Sequence, residues 1–202
     1  ALIRKNSLGD KTRQGFYKKL KTQEILALDL RNLEYGPRRE PRWPSLETAQ
    51  SIPNLAARLS FLVGCTDVVG EFVWKSLSQL LVYASTRIPE ISESVVDIDN
   101  ALRWGFNWEL GPFEIWDTLG VEAVCRRLRR EGHSLPAWIE QLLVAPERSF
   151  YTRREGQPLH FLPSAGTFSA IPEPCGLLFL SSLKDRNKIV KEGKSASLLD
   201  LS

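Results

Sequence analysis

Residues 97–120 read DIDNALRWGFNWELGPFEIWDTLG, and their punctuation sets the fold. Asp97 stands where a side-chain oxygen can cap a helix running through Asn100, Ala101, Leu102 and Trp104, and Gly105 weakens the end of that helix. Gly111-Pro112 then starts a second helix, with proline at the first helical position, where no N–H is needed. Gly120 closes it. Two short helices meeting at so tight a turn must bury their apolar faces against further helices.

Those neighbours are legible on both sides. Upstream, Pro53 suits the first turn of a helix ending near Gly64, and a long helix starts at Asp67 and is closed by Pro89. In it Val69, Val73, Leu77, Leu80, Ala84 and Ile88 recur at three- and four-residue steps and mark the expected core face. Downstream, helices are expected at 121–130 and 136–144, separated by turn residues 132–134. Five or six helices in about 100 residues predict a mainly α helical bundle. After Pro146 the runs SFYTRR, PLHFL and GTFSAIP, with turn residues between them, predict a small β appendix. Before the bundle, the apolar residues from Thr22 to Leu33 mark a short helix, and Gly36–Pro44, with three prolines in nine residues, reads as a linker.

The 202 residues are 43% hydrophobic and 25% charged, an ordinary globular mixture. Lys plus Arg at 27 against Asp plus Glu at 24 leave a net charge of +3, too small to imply a nucleic-acid or membrane surface. No run of apolar residues is long enough to span a bilayer. Cys65, Cys125 and Cys175 are far apart, and only His133 and His160 could assist them, so neither a disulfide framework nor a zinc site is indicated. A reducing cytoplasm is the expected compartment. The chain contains no Met, which fits an excerpt of a longer polypeptide.

Catalytic signals are sparse. No GxSxG, GxGxxG or GxxxxGK[ST] occurs. His133 reads as a loop residue and His160 as a strand residue. The acids Asp97, Asp99, Glu109, Glu114 and Asp117 could serve as general acids or bases, but a helix cap at Asp97 and an ion pair at Asp117 are the simpler readings. The basic clusters KTRQGFYKKLK and PRREPRW could hold phosphates, although the low net charge and the acidic neighbours of VCRRLRREG favour solvated surface. Six tryptophans, three of them at 104, 108 and 116, fill a core or an interface.

The opening stretch also resembles the C-terminal helical domain of the 3-hydroxyacyl-CoA dehydrogenases. The carriers are Asp97-Ile98-Asp99-Asn100-Ala101, Gly105, and Gly111 to Gly120 in the pattern Gly-Pro-Phe-Glu-x-x-Asp-x-x-Gly, with similarity reaching back to Gly70. Near the start, Gly9, Lys11, Gly15, Phe16 and Tyr17 resemble the segment with which such a domain closes, Arg13 replacing one glycine, and Ser149-Phe150-Tyr151 echoes it.

A closing segment ahead of the helices implies two helical domains in tandem, as in multifunctional fatty-acid oxidation proteins. The expected organisation is the end of a preceding helical domain at 1–20, a linker region at 21–52, a second helical repeat with closing β hairpins at 53–174, and a connection at 175–202 toward an enoyl-CoA hydratase-like module. The resemblance implies that NAD and the catalytic His and Glu belong to a Rossmann domain outside this chain, while the helical domain closes over the acyl-CoA and dimerises. It therefore assigns no catalytic, cofactor-binding or metal-ligating residue here, and leaves substrate contacts unknown. Where the family places an Asn near the acyl group, four residues after Gly70, this chain has Trp74, which lacks a carboxamide's paired donor and acceptor. The alternative is a non-catalytic helical adaptor or dimerisation domain.

Overall fold

The computed structural model describes residues 2–39, 42–154, 157–171, 189–193 and 196–200. Cys175 and the apolar run 176–183 lie outside the described residues. The chain divides into two compact units, residues 1–47 and 48–202.

The first unit carries a three-stranded antiparallel meander: β1 Tyr17–Lys19, β2 Ile25–Asp29 and β3 Glu34–Pro37. The helix expected over Thr22–Leu33 is therefore corrected to a strand and its turns. The reason is local competition for the backbone: Asp29 accepts the Arg31 N–H at 2.8 Å and Asn32 accepts the Glu34 N–H at 3.0 Å, side-chain turns that a helix would exclude. Gln23 and Leu33, both at positive φ, complete the turns.

The second unit is mainly α. Following α1 Pro44–Gln50, which crosses the unit boundary, come α2 Leu55–Gly64, α3 Val68–Thr86, α4 Val95–Phe106, α5 Pro112–Leu119, α6 Val121–Arg130 and α7 Trp138–Val144. A second antiparallel meander follows, β4 Tyr151–Arg154, β5 Gln157–Leu162 and β6 Thr167–Ala170, then a hairpin of β7 Ile189–Glu192 and β8 Ser197–Leu199. The mainly α bundle with a small β component is as the sequence predicts.

Caps explain most boundaries. Asn54 and Asp67 accept the N–H groups of Ala57 and Gly70 and so start α2 and α3. The cap of α4 is Ser94, not Asp97. Asp97 lies in the first turn, where a carboxylate suits the positive end of the helix dipole, and it accepts the Ser92 hydroxyl at 2.7 Å.

Of the expected core face of α3, Val69 and Ala84 are buried, as is Ile88 beyond the helix end, and Leu77 packs against the core, but the buried stripe also turns toward residues the periodicity did not mark. It runs through Val69, Gly70, Trp74, Ser78, Leu81, Ala84 and Ser85, with the two serine hydroxyls donating to the carbonyls of Lys75 and Val82. Small residues let helices approach closely, and their back-bonded hydroxyls need no other partner. Leu80 and Tyr83 consequently face a groove on the other side.

Helix α5 is the centre of the unit and packs against α2, α3, α4 and α6. Phe113, Ile115 and Trp116 on it are buried, and Phe150 inserts with its ring centroid 4.9 Å from Phe113, 5.4 Å from Trp116 and 6.0 Å from Trp138. Tilted pairs of this kind satisfy the ring quadrupoles while burying large apolar areas. Gly120, at φ +85°, takes the chain from α5 straight into α6.

Gly111 is a close-approach position. A Cβ there would lie 2.3 Å from the Asp99 Cβ and 2.4 Å from its Cα, whereas one at Gly105 would meet nothing within 4 Å. Gly111→Ala is expected to destabilise the fold by about 1–3 kcal/mol, as overpacking does, while Gly105→Ala stabilises it by about 0.5–1 kcal/mol through helix propensity. Urea unfolding of the two variants measures both, and equal effects would contradict the packing at Gly111.

Candidate functional site

A helix that starts inside a protein leaves amide donors that water cannot reach. At the start of α5 they are satisfied in turn. The Gly111 N–H donates to Glu114 Oε2 at 2.7 Å, Pro112 has no N–H, and the N–H groups of Phe113 and Glu114 donate to the Asp99 carboxylate at 2.8 and 3.1 Å. The Tyr151 hydroxyl, arriving on β4, donates to the same carboxylate at 2.7 Å. Asp99 thus ties α4, α5 and the meander together.

One turn further along α5, Asp117 repeats the device. Its two oxygens accept the backbone N–H groups of Phe150 and Tyr151 at 2.8 and 2.9 Å. The expected ion pair at Asp117 is replaced by these two backbone bonds, which fix the aromatic pair at the entrance to β4. Burial pushes the Asp99 carboxyl up from its ordinary 3.8 to about 7, against the lowering effect of the Phe113 N–H and the Tyr151 hydroxyl. Burial likewise raises Asp117 to about 6, and the Tyr151 phenol is held well above its usual range by burial and by the neighbouring Asp99.

The remaining candidates are dispersed. Glu114 is half-buried and pairs with Arg103 at 3.2 Å, and Glu109 is exposed. His133 lies in the turn after α6, its N–H on the Leu128 carbonyl. His160 is buried in β5, where burial lowers its pKa against opposing pulls from the Phe161 carbonyl and Asp97. Among the described residues no group of three His, Cys, Asp or Glu side chains could hold a metal ion. Three of the four arginines of α6 are paired: Arg126 with Glu122, Arg127 with Glu131, and Arg129 with Glu140.

Trp74 occupies a polar seat that sequence reading did not anticipate. Its indole N–H donates to both carboxylate oxygens of Glu131 at 2.8 Å, and the Arg127 guanidinium stacks on the ring 3.9 Å from its centroid. Arg127 also reaches Glu131 at 3.1 Å and the Val63 carbonyl at 3.3 Å. The only sequence signal was the Arg127/Glu131 spacing of four on one helix face. Ser60, Gly64, Ala123 and Val124 complete a cleft of about 250 Å³ beside the indole.

Between α3 and α4 lies an apolar groove of about 510 Å³, lined by Leu80, Tyr83, Ala84, Ile98, Leu102 and Phe106 with Arg87 and Asp97 among its polar members. Of the six tryptophans, Trp74, Trp116 and Trp138 are core, while Trp104 is 80% exposed on α4.

This architecture, a helical bundle braced by the carboxylates of an Asp-Ile-Asp and a Gly-Pro-Phe-Glu-x-x-Asp segment, has relatives. The chain is 34% identical over 200 residues, 99% of its length, to a Bacillus subtilis (strain 168) protein named "Probable 3-hydroxyacyl-CoA dehydrogenase". Over 119 residues, 56% of the chain, it is 24% identical to a protein of Rickettsia prowazekii and 25% identical to one of Rickettsia felis. The names of both contain the words "fatty acid oxidation complex trifunctional enzyme". It spans 25% of the length of the Bacillus protein and 15% of the two others. The chain is thus a relative of one region of much larger proteins of the 3-hydroxyacyl-CoA dehydrogenase and fatty-acid oxidation kind. No family model matches it, and no solved structure matches it.

The raised carboxyls set a pH dependence. Because the folded pKa values of Asp99 and Asp117 lie above the unfolded value, the stability linked to their protons is complete below about pH 4 and is lost as pH rises through 6 and 7. In Asp99→Asn the new amide N–H₂ faces a backbone donor, at a cost of about 1–3 kcal/mol, and the step near pH 7 disappears. Urea midpoints between pH 5 and 8 check this: a slope unchanged in the variant would show that Asp99 does not titrate there.

Proposed function

We propose that the chain is the helical, substrate-closing and assembly region of an NAD-dependent 3-hydroxyacyl-CoA dehydrogenase, within a multifunctional polypeptide that also carries an enoyl-CoA hydratase module. The parent oxidises a 3-hydroxyacyl-CoA to the 3-oxoacyl-CoA in fatty-acid β-oxidation, passing hydride from C3 to NAD bound outside this segment. Within it, residues 1–20 close a preceding helical domain, 21–52 form the linker region, 53–174 are the second repeat, and 175–202 lead toward the hydratase-like module. The parent works in the cytoplasm; among the described residues no helix is long and apolar enough to cross a membrane.

The observation that carries this reading is the use made of the motif's polar residues. Asp99, Glu114 and Asp117 engage backbone amides of the same unit, with the Tyr151 hydroxyl also on Asp99 and Arg103 on Glu114, which suits a brace better than a poised acid or base. At the position that resembles the family's acyl-proximal Asn, Trp74 fills the space and is bonded to Glu131, so this repeat acts by packing. The exposed Phe72, Tyr83, Trp104 and Phe106 of α3 and α4 supply apolar surface for the neighbouring domains of the polypeptide or for a second copy of it.

The test is an assay of NADH formation from a 3-hydroxyacyl-CoA. The complete polypeptide is expected to be active and residues 1–202 alone inactive. Turnover by residues 1–202, or none by the complete polypeptide, would overturn the proposal.

A further inference from the structure

The two meanders of this chain share one register. In the first, Leu26, Ala27 and Leu28 of β2 face Pro37, Gly36 and Tyr35 of β3; in the second, Leu159, His160 and Phe161 of β5 face Ala170, Ser169 and Phe168 of β6. On the other edge Tyr17 faces Ala27 as Tyr151 faces His160, and the Phe16 carbonyl accepts the Leu28 N–H at 2.9 Å as the Phe150 carbonyl accepts the Phe161 N–H at 2.7 Å. Phe16-Tyr17 therefore occupies, strand for strand, the place of Phe150-Tyr151.

Their surroundings differ. Phe150 is 0% exposed within the Phe113, Trp116 and Trp138 box, and the amides of Phe150 and Tyr151 are held by Asp117. Phe16 is 60% exposed and Tyr17 61%, with Ile25 at 42% on the adjacent strand. A phenylalanine that opens such a sheet earns its apolar area only when it is seated.

We infer that the first meander is a docking surface for a helical bundle of the same build, lying N-terminal in the same polypeptide, with Phe16 filling an aromatic box and the Phe16 and Tyr17 amides gripped by one carboxylate on a buried helix. This rests on, and deepens, the tandem-repeat reading above, and it moves the end of the upstream repeat from residue 20 to Pro37, so that only the residues after β3 are left to the linker. The matching acid stands ahead of Ala1, in the place that Asp117 holds for Phe150.

The experiment compares the 202-residue chain with the polypeptide extended N-terminally to include the coding sequence ahead of Ala1. In the extended polypeptide the Phe16 and Tyr17 amides should be protected from hydrogen exchange. There Phe16→Ala should lower Tm by several degrees, and Phe16→Leu by less. In the 202-residue chain Phe16→Ala should leave Tm unchanged while Phe150→Ala lowers it. Equal exchange at Phe16 in both polypeptides, or an unchanged Tm for Phe16→Ala in the extended polypeptide, would overturn the inference. Neither result bears on NADH formation by the complete polypeptide, so a failure here is separable from a failure of the dehydrogenase reading.

Discussion

The start of α5 is the constraint on which the second unit depends. A helix surrounded by α2, α3, α4 and α6 cannot leave its first amides to water, and each unmet donor would cost about 1–3 kcal/mol. Asp99 meets two of them from the neighbouring helix, and the approach is possible only because Gly111 has no side chain where the Asp99 Cβ lies. The carboxylate then has capacity left for the Tyr151 hydroxyl, which brings in the meander. Asp117 holds the same strand by its backbone, and Phe150, between the two anchor points, is carried into the aromatic box. A motif of two acids, one glycine and one proline thereby fixes two helices and a sheet.

That economy explains why acids in a dehydrogenase-like motif need not be catalytic. A general acid or base must hold its proton where a reacting atom can reach it. Here Asp99 is 2% exposed and fully engaged by protein donors. Its raised pKa is a consequence of burial, and burial alone perturbs carboxyls in structural networks as readily as in active sites. Asp99 is therefore held for packing.

Much of the bundle was legible because helices advertise their ends. Pro53, Asp67, Gly111-Pro112 and Gly120 act within a turn of their own position, so α2, α3 and α5 begin near where the residues imply, although the cap of α2 is Asn54 and Pro53 stands just before it, and α6 spans the expected 121–130. What was not legible depends on partners distant in sequence. Nothing near Trp74 announces Glu131, 57 residues away, nor does anything near Asp117 announce the amides of Phe150 and Tyr151. The stripe of α3 was legible only in part, at Val69, Ala84 and Ile88, because Ser78 and Ser85 count as polar by composition, yet their hydroxyls are satisfied within the helix and their small size suits a close crossing. Thr22–Leu33 has apolar residues enough for a helix, but Asp29 and Asn32 bond their own backbone and turn the chain.

The central claim is that the Asp99 carboxylate couples the start of α5 to the closing strand through Tyr151. A double-mutant cycle of Asp99→Ala and Tyr151→Phe, read by urea unfolding at pH 8, tests it most directly, because the cycle isolates the pair from the cost of each truncation. The account predicts a coupling energy of about 1–3 kcal/mol, as for a hydrogen bond to a charged group. Additive effects, with coupling below about 0.3 kcal/mol, would contradict it.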